Sequence, residues 1–185
     1  MTHTLILGGQ KSGKSRAAEQ LAGDWLSSGQ GRGATLVATA WPGDEEMRMR
    51  IARHQGDRTE RVPGLALHEL AGDLAHALQM LSTVDRLLVV DCLTLWLTQL
   101  AMPPPGVDAG DVDGAIERLC AVLPGLPGPV VLVSNEIGLG VMPMGAETRR
   151  FLDRLGLLHQ RLARVCTRVT LMVAGMPLVV KGGAA

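Results

Sequence analysis

Residues 4–22 read TLILGGQKSGKSRAAEQLA. Thr4 to Leu7 form a short apolar run of β type, and Lys14 to Ser27 carry helix formers, so the glycines between them join a strand to a helix. Gly8 is followed by Gly9, Gln10, Lys11 and Ser12, then by Gly13, Lys14 and Ser15. This is the phosphate-loop spacing in the strand–loop–helix context that gives it meaning, rather than a chance glycine-rich turn. Glycines let backbone N–H groups turn inward and approach phosphate oxygens, and the start of the following helix adds positive potential. Lys14 is expected on the β and γ phosphates and Ser15 on Mg²⁺.

Further apolar runs lie at Thr35 to Val37, Leu87 to Val90, Val130 to Val133 and Val169 to Val173, without polar alternation. Strands buried on both faces read this way. Helical stretches are expected over Glu45 to His54, Ala71 to Leu81, Val112 to Leu123 and Glu147 to Val165. Alternation of this kind implies a mostly parallel sheet with helices on both faces. Gly175 and Pro177 divide the last β-rich piece, which predicts a C-terminal hairpin edge. The fold class expected is α/β, a single P-loop NTPase domain of RecA-like type over residues 1–185. Phe151, Leu155, Leu158 and Leu162 make an apolar helical stripe, read as core packing or as a subunit contact.

The formal net charge is zero at pH 7, which argues against nucleic acid or a membrane surface as a partner. With Trp25, Trp41, Trp96 and Phe151 as the only aromatic residues, a base-stacking platform is not expected either. Cys92, Cys120 and Cys166 are an odd set without a CxxC pair, and read as reduced core thiols of a cytoplasmic protein. The longest apolar stretch, LLVVDCLTLWLTQLAM, is too short to span a bilayer and contains polar residues, so no membrane insertion is expected.

Asp91 ends the LLVVD run, where a P-loop site commonly has an acid that orders the magnesium shell; the competing reading is a cap for a helix starting near Cys92. Residues 50–58, RIARHQGDR, place His54 between Arg50 and Arg58 at four-residue intervals. On a helix these side chains share a face, either a solvated surface or a cationic platform around a nucleophile. Asn135 and Glu136 follow another buried strand, at the edge where open α/β sheets bind ligands. Glu136 is a candidate for handling magnesium or activating a substrate hydroxyl; alternatively the pair simply holds the loop containing Gly138 and Gly140.

In order, the chain carries GGQKSGKSR, ATA, DEEMRMRIARHQGDR, DCLTLWLTQL, SNEIGLGVMP and AGMPLVVKG. This set resembles the bifunctional adenosylcobinamide kinase / adenosylcobinamide-phosphate guanylyltransferase family of cobalamin biosynthesis. The resemblance implies phosphorylation of a hydroxyl of adenosylcobinamide, then transfer of GMP from GTP to that phosphate through a histidine. His54 is the matching position. It further implies GTP and ATP as substrates, Mg²⁺ as cofactor, and a homo-oligomer, a trimer. By the same resemblance Ala38, Thr39 and Ala40 line the nucleotide site, Gln55, Gly56, Asp57 and Arg58 continue it, and Glu69 contacts the guanosine ribose. Glu69 is equally readable as an exposed strand-end acid. His3, His68, His76 and His159 are read as structural or surface residues. Departures from the family pattern are Gln99 for asparagine, Lys11 for arginine and Leu36 for tyrosine. Two competing functions share part of this site: a single-activity small-metabolite kinase in which His54 is inert, and a GTP-binding module without turnover.

Overall fold

The computed structural model describes residues 2–40, 45, 49, 61–103, 106–107 and 110–183. His54, Gln55, Gly56, Asp57 and Arg58 lie outside the described residues, as does the helix expected over Glu45 to His54 apart from Glu45 and Met49.

Strands β1 (Thr4–Gly8), β2 (Gly33–Ala38), β3 (Leu65–Glu69), β4 (Arg86–Asp91), β5 (Val130–Asn135), β6 (Arg168–Val173) and β7 (Met176–Lys181) form one sheet. Their order is β3-β2-β4-β5-β1-β6-β7, parallel except for the last pair. The helices are α1 (Lys14–Ser27), α2 (Leu74–Leu81), α3 (Leu93–Ala101), α4 (Val112–Val122) and α5 (Ala146–Val165), with a short 3₁₀ turn at Leu123–Gly125.

Successive strand residues point to opposite faces, and both faces are covered. Leu5, Val37, Leu88, Val90, Val130 and Leu132 pack with the buried sides of α2 to α5, while Ile6, Leu36, Val89, Val131 and Val133 pack with Ala18 and Ala22 of α1. Two burial faces explain why these strands show unbroken apolar runs rather than alternation. The α5 stripe belongs to the first core: Phe151, Leu155, Leu158 and Leu162 are buried within the chain, so the subunit-contact reading of that stripe is corrected.

Local chemistry sets the element ends. Asp73 accepts from His76 N at 2.9 Å, which starts α2 at Leu74 rather than at Ala71, and Asp111 accepts from Gly114 N at 2.9 Å at the start of α4. Ala174 and Gly175, with φ of 51° and 81°, make the two-residue turn of the β6–β7 hairpin. Strand β3, foreshadowed only by the strand-end reading of Glu69, shows no apolar run because it pairs only with β2 at the sheet edge and leaves Ala66 and Leu67 exposed. Within LLVVDCLTLWLTQLAM the strand ends at Asp91 and the helix expected near Cys92 begins at Leu93, with Cys92, not Asp91, at its N-cap position.

Candidate active site

The carboxyl ends of the parallel strands make one edge. Strand registers align Glu69 and Asp91 with Ala38 on either side, and Asn135 and Met172 with Gly8. The phosphate loop leaves this edge at Gly8. A Cβ at Gly8 would lie 2.5 Å from Ser12 Oγ and 2.6 Å from Met172 O, so only glycine fits between loop and strand. Gly13, with φ 97°, turns the chain into α1, and its own Cβ would come within 3.2 Å of Gly175 Cα. Gly175 N donates to Ser12 O at 3.0 Å, so the hairpin turn buttresses the loop. That support was not foreseen; the only sequence signal for it was the glycine at the turn.

Lys14 is buried and Nζ donates to Gly9 O at 2.6 Å, with Ser12 Oγ at 3.5 Å. Burial lowers its pKa from the ordinary lysine value, while the Asp91 carboxylate acts in the opposite direction. Ser15 stands half-buried in the first turn of α1. Gly9, Gln10 and Lys11 are exposed, and Ser12 is buried.

Asp91 is the last residue of β4, and β5 lies between that strand and β1. The acid is therefore next but one to the phosphate-loop strand, not on the adjacent strand, at a lateral separation of roughly 10 Å between strand axes. Its setting is fixed by Thr39: Thr39 Oγ1 donates to Cys92 O at 2.7 Å and accepts from Cys92 N at 2.9 Å. Gln99 Nε2 donates to Thr39 O, which gives the departure at residue 99 a role in holding this corner. Thr39 is buried and its hydroxyl is committed to Cys92, whereas Ala38 and Ala40 are half-buried at the edge. Burial pushes the Cys92 thiol up to about 11, so it stays protonated at neutral pH; Cys120 is half-buried, Cys166 is buried, and all three are free.

Glu69 is exposed at the end of β3, four strand spacings from β1, or roughly 19 Å. It shares the edge without joining the phosphate loop. The inserted strand β5 supplies Asn135 and Glu136 beside Gly8, with Glu136 N donating to Gly8 O at 3.0 Å. Glu136 Oε1 accepts from Gly138 N at 2.6 Å, so the loop-holding role is also present. Sequence reasoning missed His159, whose ring sits 3.6 Å from Glu136 Oε2. A signal existed, because residue 159 falls on the buried stripe of α5 among Leu155, Leu158 and Leu162.

The chain reaches the edge at Ala40, and beyond residues 50–60 Arg61 pairs with Glu19 of α1 at 3.0 Å while Val62 packs into the α1-side core. Among the described residues no group of three or more His, Cys, Asp or Glu side chains converges to hold a metal alone. A cleft of about 510 Å³, lined in part by Thr4, Trp25, Leu87, Val131 and Arg168, opens at the opposite ends of the strands and contains none of the expected site residues. No helix among the described residues is long and apolar enough to cross a membrane.

The family model of cobinamide kinase / cobinamide phosphate guanyltransferase matches residues 4–180. The chain is 47% identical over 178 residues to the bifunctional adenosylcobalamin biosynthesis protein CobP of Pseudomonas aeruginosa, covering 96% of each. It is 32% identical to CobU of Escherichia coli over 187 residues, covering 96% of this chain and 98% of that protein. Among solved structures, a KaiC-like protein of Pyrococcus horikoshii is similar at a TM-score of 0.50 and 14% identity, covering 92% of this chain and 70% of that one. The flagellar accessory protein FlaH of Methanocaldococcus jannaschii gives 0.50 and 13%, covering 98% and 79%. These two bear on fold alone, and support the RecA-like expectation. A phosphate loop at the carboxyl edge of such a sheet is common to many proteins, but a match that continues from β1 into β7 is not, and on it the chain belongs to the cobinamide kinase / cobinamide phosphate guanyltransferase family.

Proposed function

We propose that the chain, as one domain over residues 1–185, phosphorylates adenosylcobinamide and then converts the product to adenosylcobinamide-GDP at the carboxyl edge of its sheet, with His54 as the GMP carrier. The coarser activity, cobinamide kinase and cobinamide-phosphate guanylyltransferase of cobalamin biosynthesis, is that of the family. The observation that carries the reading is the convergence of the phosphate loop, Asp91 and Glu136 at one edge.

In the first reaction the backbone of Gly8 to Gly13 and the Lys14 ammonium hold the phosphates of ATP or GTP. Ser15 and Asp91 would hold Mg²⁺, which offers charge neutralisation when bound. The substrate hydroxyl oxygen attacks the γ phosphorus, the bond from γ phosphorus to the bridging oxygen breaks, and Glu136 accepts the hydroxyl proton. In the second, the neutral imidazole of His54 attacks the α phosphorus of GTP and pyrophosphate leaves; the substrate phosphate oxygen then displaces the imidazole and takes GMP. Arg50 and Arg58 would offset charge on the triphosphate, with Gln55, Gly56 and Asp57 alongside. The described chain flanks that segment at Ala40, on the edge, and at Arg61, paired to the phosphate-loop helix, which supports its service to the same nucleotide. Glu69, with Ala38 and Ala40, suits the nucleoside end, since its carboxylate can accept from ribose hydroxyls.

The protein is read as cytoplasmic and as a homotrimer. The exposed apolar side chains Met176, Leu178 and Val180 of β7 offer a contact surface that the buried α5 stripe does not.

Incubation with α-labelled and γ-labelled GTP in parallel, followed by denaturing electrophoresis, tests the carrier. Label is expected to stay with the protein only from the α position, to be lost on mild acid treatment and to be absent in His54→Ala. A folded, nucleotide-binding parent that retains neither label would leave a kinase alone.

A further inference from the structure

Behind the edge, a line of side chains runs from β5 into the core and back. Asn135 N donates to Thr94 Oγ1 at 2.8 Å; Thr94 Oγ1 lies 3.1 Å from Ser134 Oγ; Ser134 Oγ lies 2.7 Å from His159 Nε2; and His159 Nδ1 faces Glu136 Oε2 at 3.6 Å. Ser134 is fully buried, Thr94 and His159 nearly so, and the two ends of the line, Asn135 and Glu136, are half-buried.

The direction of this line follows from hydrogen counting. A backbone N–H can only donate, so Thr94 Oγ1 is an acceptor toward Asn135. Among the described residues the one acceptor for the Thr94 hydroxyl proton is Ser134 Oγ. Ser134 then gives its own proton to Nε2, which must carry a lone pair, and the neutral ring bears its hydrogen on Nδ1. The reverse direction would leave a buried hydroxyl proton unmatched and turn the Nδ1 lone pair toward a carboxylate, two unfavourable outcomes at once. Burial favours the uncharged ring as well, lowering the His159 pKa against the pull of Glu136.

We infer that His159 is a positioning residue for the phosphorylation step, its Nδ1–H held by this buried relay and directed at the Glu136 carboxylate beside the phosphate loop. The inference rests on the reading of Glu136 as acceptor of the substrate hydroxyl proton. The groups stand in the order of a hydrolase triad, serine to histidine to acid, but with the ends exchanged. Here the acid meets the site and the serine is sealed in the core, so the serine attacks nothing and the relay serves to orient the carboxylate. Gly138 N restrains Oε1, His159 Nδ1 faces Oε2, and each oxygen keeps lone-pair capacity for a substrate. The 3.6 Å separation is longer than a hydrogen bond, and contacts of this kind tighten when substrate binds.

Two substitutions separate positioning from packing. Asparagine places its amide nitrogen near the position of Nδ1, and glutamine places its amide near Nε2. His159→Asn is therefore expected to keep kcat for phosphoryl transfer within about threefold of the parent, and His159→Gln to lose about tenfold in kcat with the nucleotide KM unchanged. A purely structural histidine would show the opposite order, because glutamine better fills the space and keeps the Ser134 contact; that order, or losses carried by KM, would overturn the inference. Glu136→Gln is measured beside them. If it retains full activity, the reading of Glu136 itself falls; if it loses about a hundredfold or more while the two His159 variants are alike, only the His159 inference falls. Should either variant fail to fold, ¹⁵N–¹H correlation of the histidine rings in the parent protein at pH 7 decides. Hydrogen on Nδ1 of His159 is expected; hydrogen on Nε2, or on both nitrogens, would overturn it.

Discussion

Thr39 shows how a single residue can fix the place of a neighbouring acid: its N–H donates to Asp91 O at 3.3 Å. By bonding both the N–H and the carbonyl of Cys92, its hydroxyl pins the chain one residue beyond Asp91. Thr39→Val keeps the shape but leaves a buried N–H without its acceptor, and is expected to cost about 1–3 kcal/mol of stability, read as a lower denaturant midpoint, together with a higher Mg²⁺ requirement for phosphoryl transfer. Residues of this scale divide sharply in how legible they were. The phosphate loop could be read from sequence because its requirements are local: glycines where backbone approaches backbone, then lysine and serine at the head of a helix. Glu136 and His159 could not be paired in advance, because Ser134 and His159, 25 residues apart, meet only once β5 and α5 are packed. His159, read as structural or surface, is structural toward Ser134 and faces the site through Glu136. Thr39 was expected to line the nucleotide site chiefly through its backbone, and its side chain secures the strand end next to it.

Among the elements, those with strong burial were readable and those at edges were not. Helices α1, α4 and α5 start within a residue of their expected positions, because apolar spacing marks them, with glycines at the N-caps of α1 and α5 and the Asp111 cap at α4. Strands β2 and β4 extend beyond their apolar runs, since ladder pairing continues through Gly33 and Arg86, where burial does not. Helix α5 carries its own test. Leu158 is fully buried against the sheet side of the first core, so Leu158→Ala is expected to lower stability by about 2–5 kcal/mol at every protein concentration, with the light-scattering mass unchanged. Were the stripe a subunit contact, the loss would scale with dilution and the mass would fall. In the parent protein the mass expected is that of a trimer, and a monomeric mass would remove that part of the reading.

For the molecule as a whole, acid is the expected weakness. His3 and His159 are both buried with pKa values lowered chiefly by burial; His3 Nε2 sits 2.8 Å from Leu123 O, and Glu136 partly opposes the shift at His159. In the unfolded chain both rings take up a proton near pH 6.5, while the folded protein resists it. The stability they contribute is therefore present above that pH and is lost as pH falls below it. Urea midpoints are expected to be level from pH 8 to 7 and to drop by pH 5.5, with a smaller drop in His159→Asn; a midpoint that rose on acidification would contradict this. Zero net charge leaves no large self-repulsion to mask the effect. The sheet order has a separate consequence, in time rather than in space. Strand β1 pairs with β5 and β6 and with no strand made earlier than Val130. A ribosome that has finished α4 has already made β2, β3 and β4, which can pair with one another as they emerge, while Thr4 to Gly8 still lacks both neighbours. The segment synthesised near the start is thus among the last to be locked, and the nucleotide site comes into being only as the final hairpin closes against Ser12.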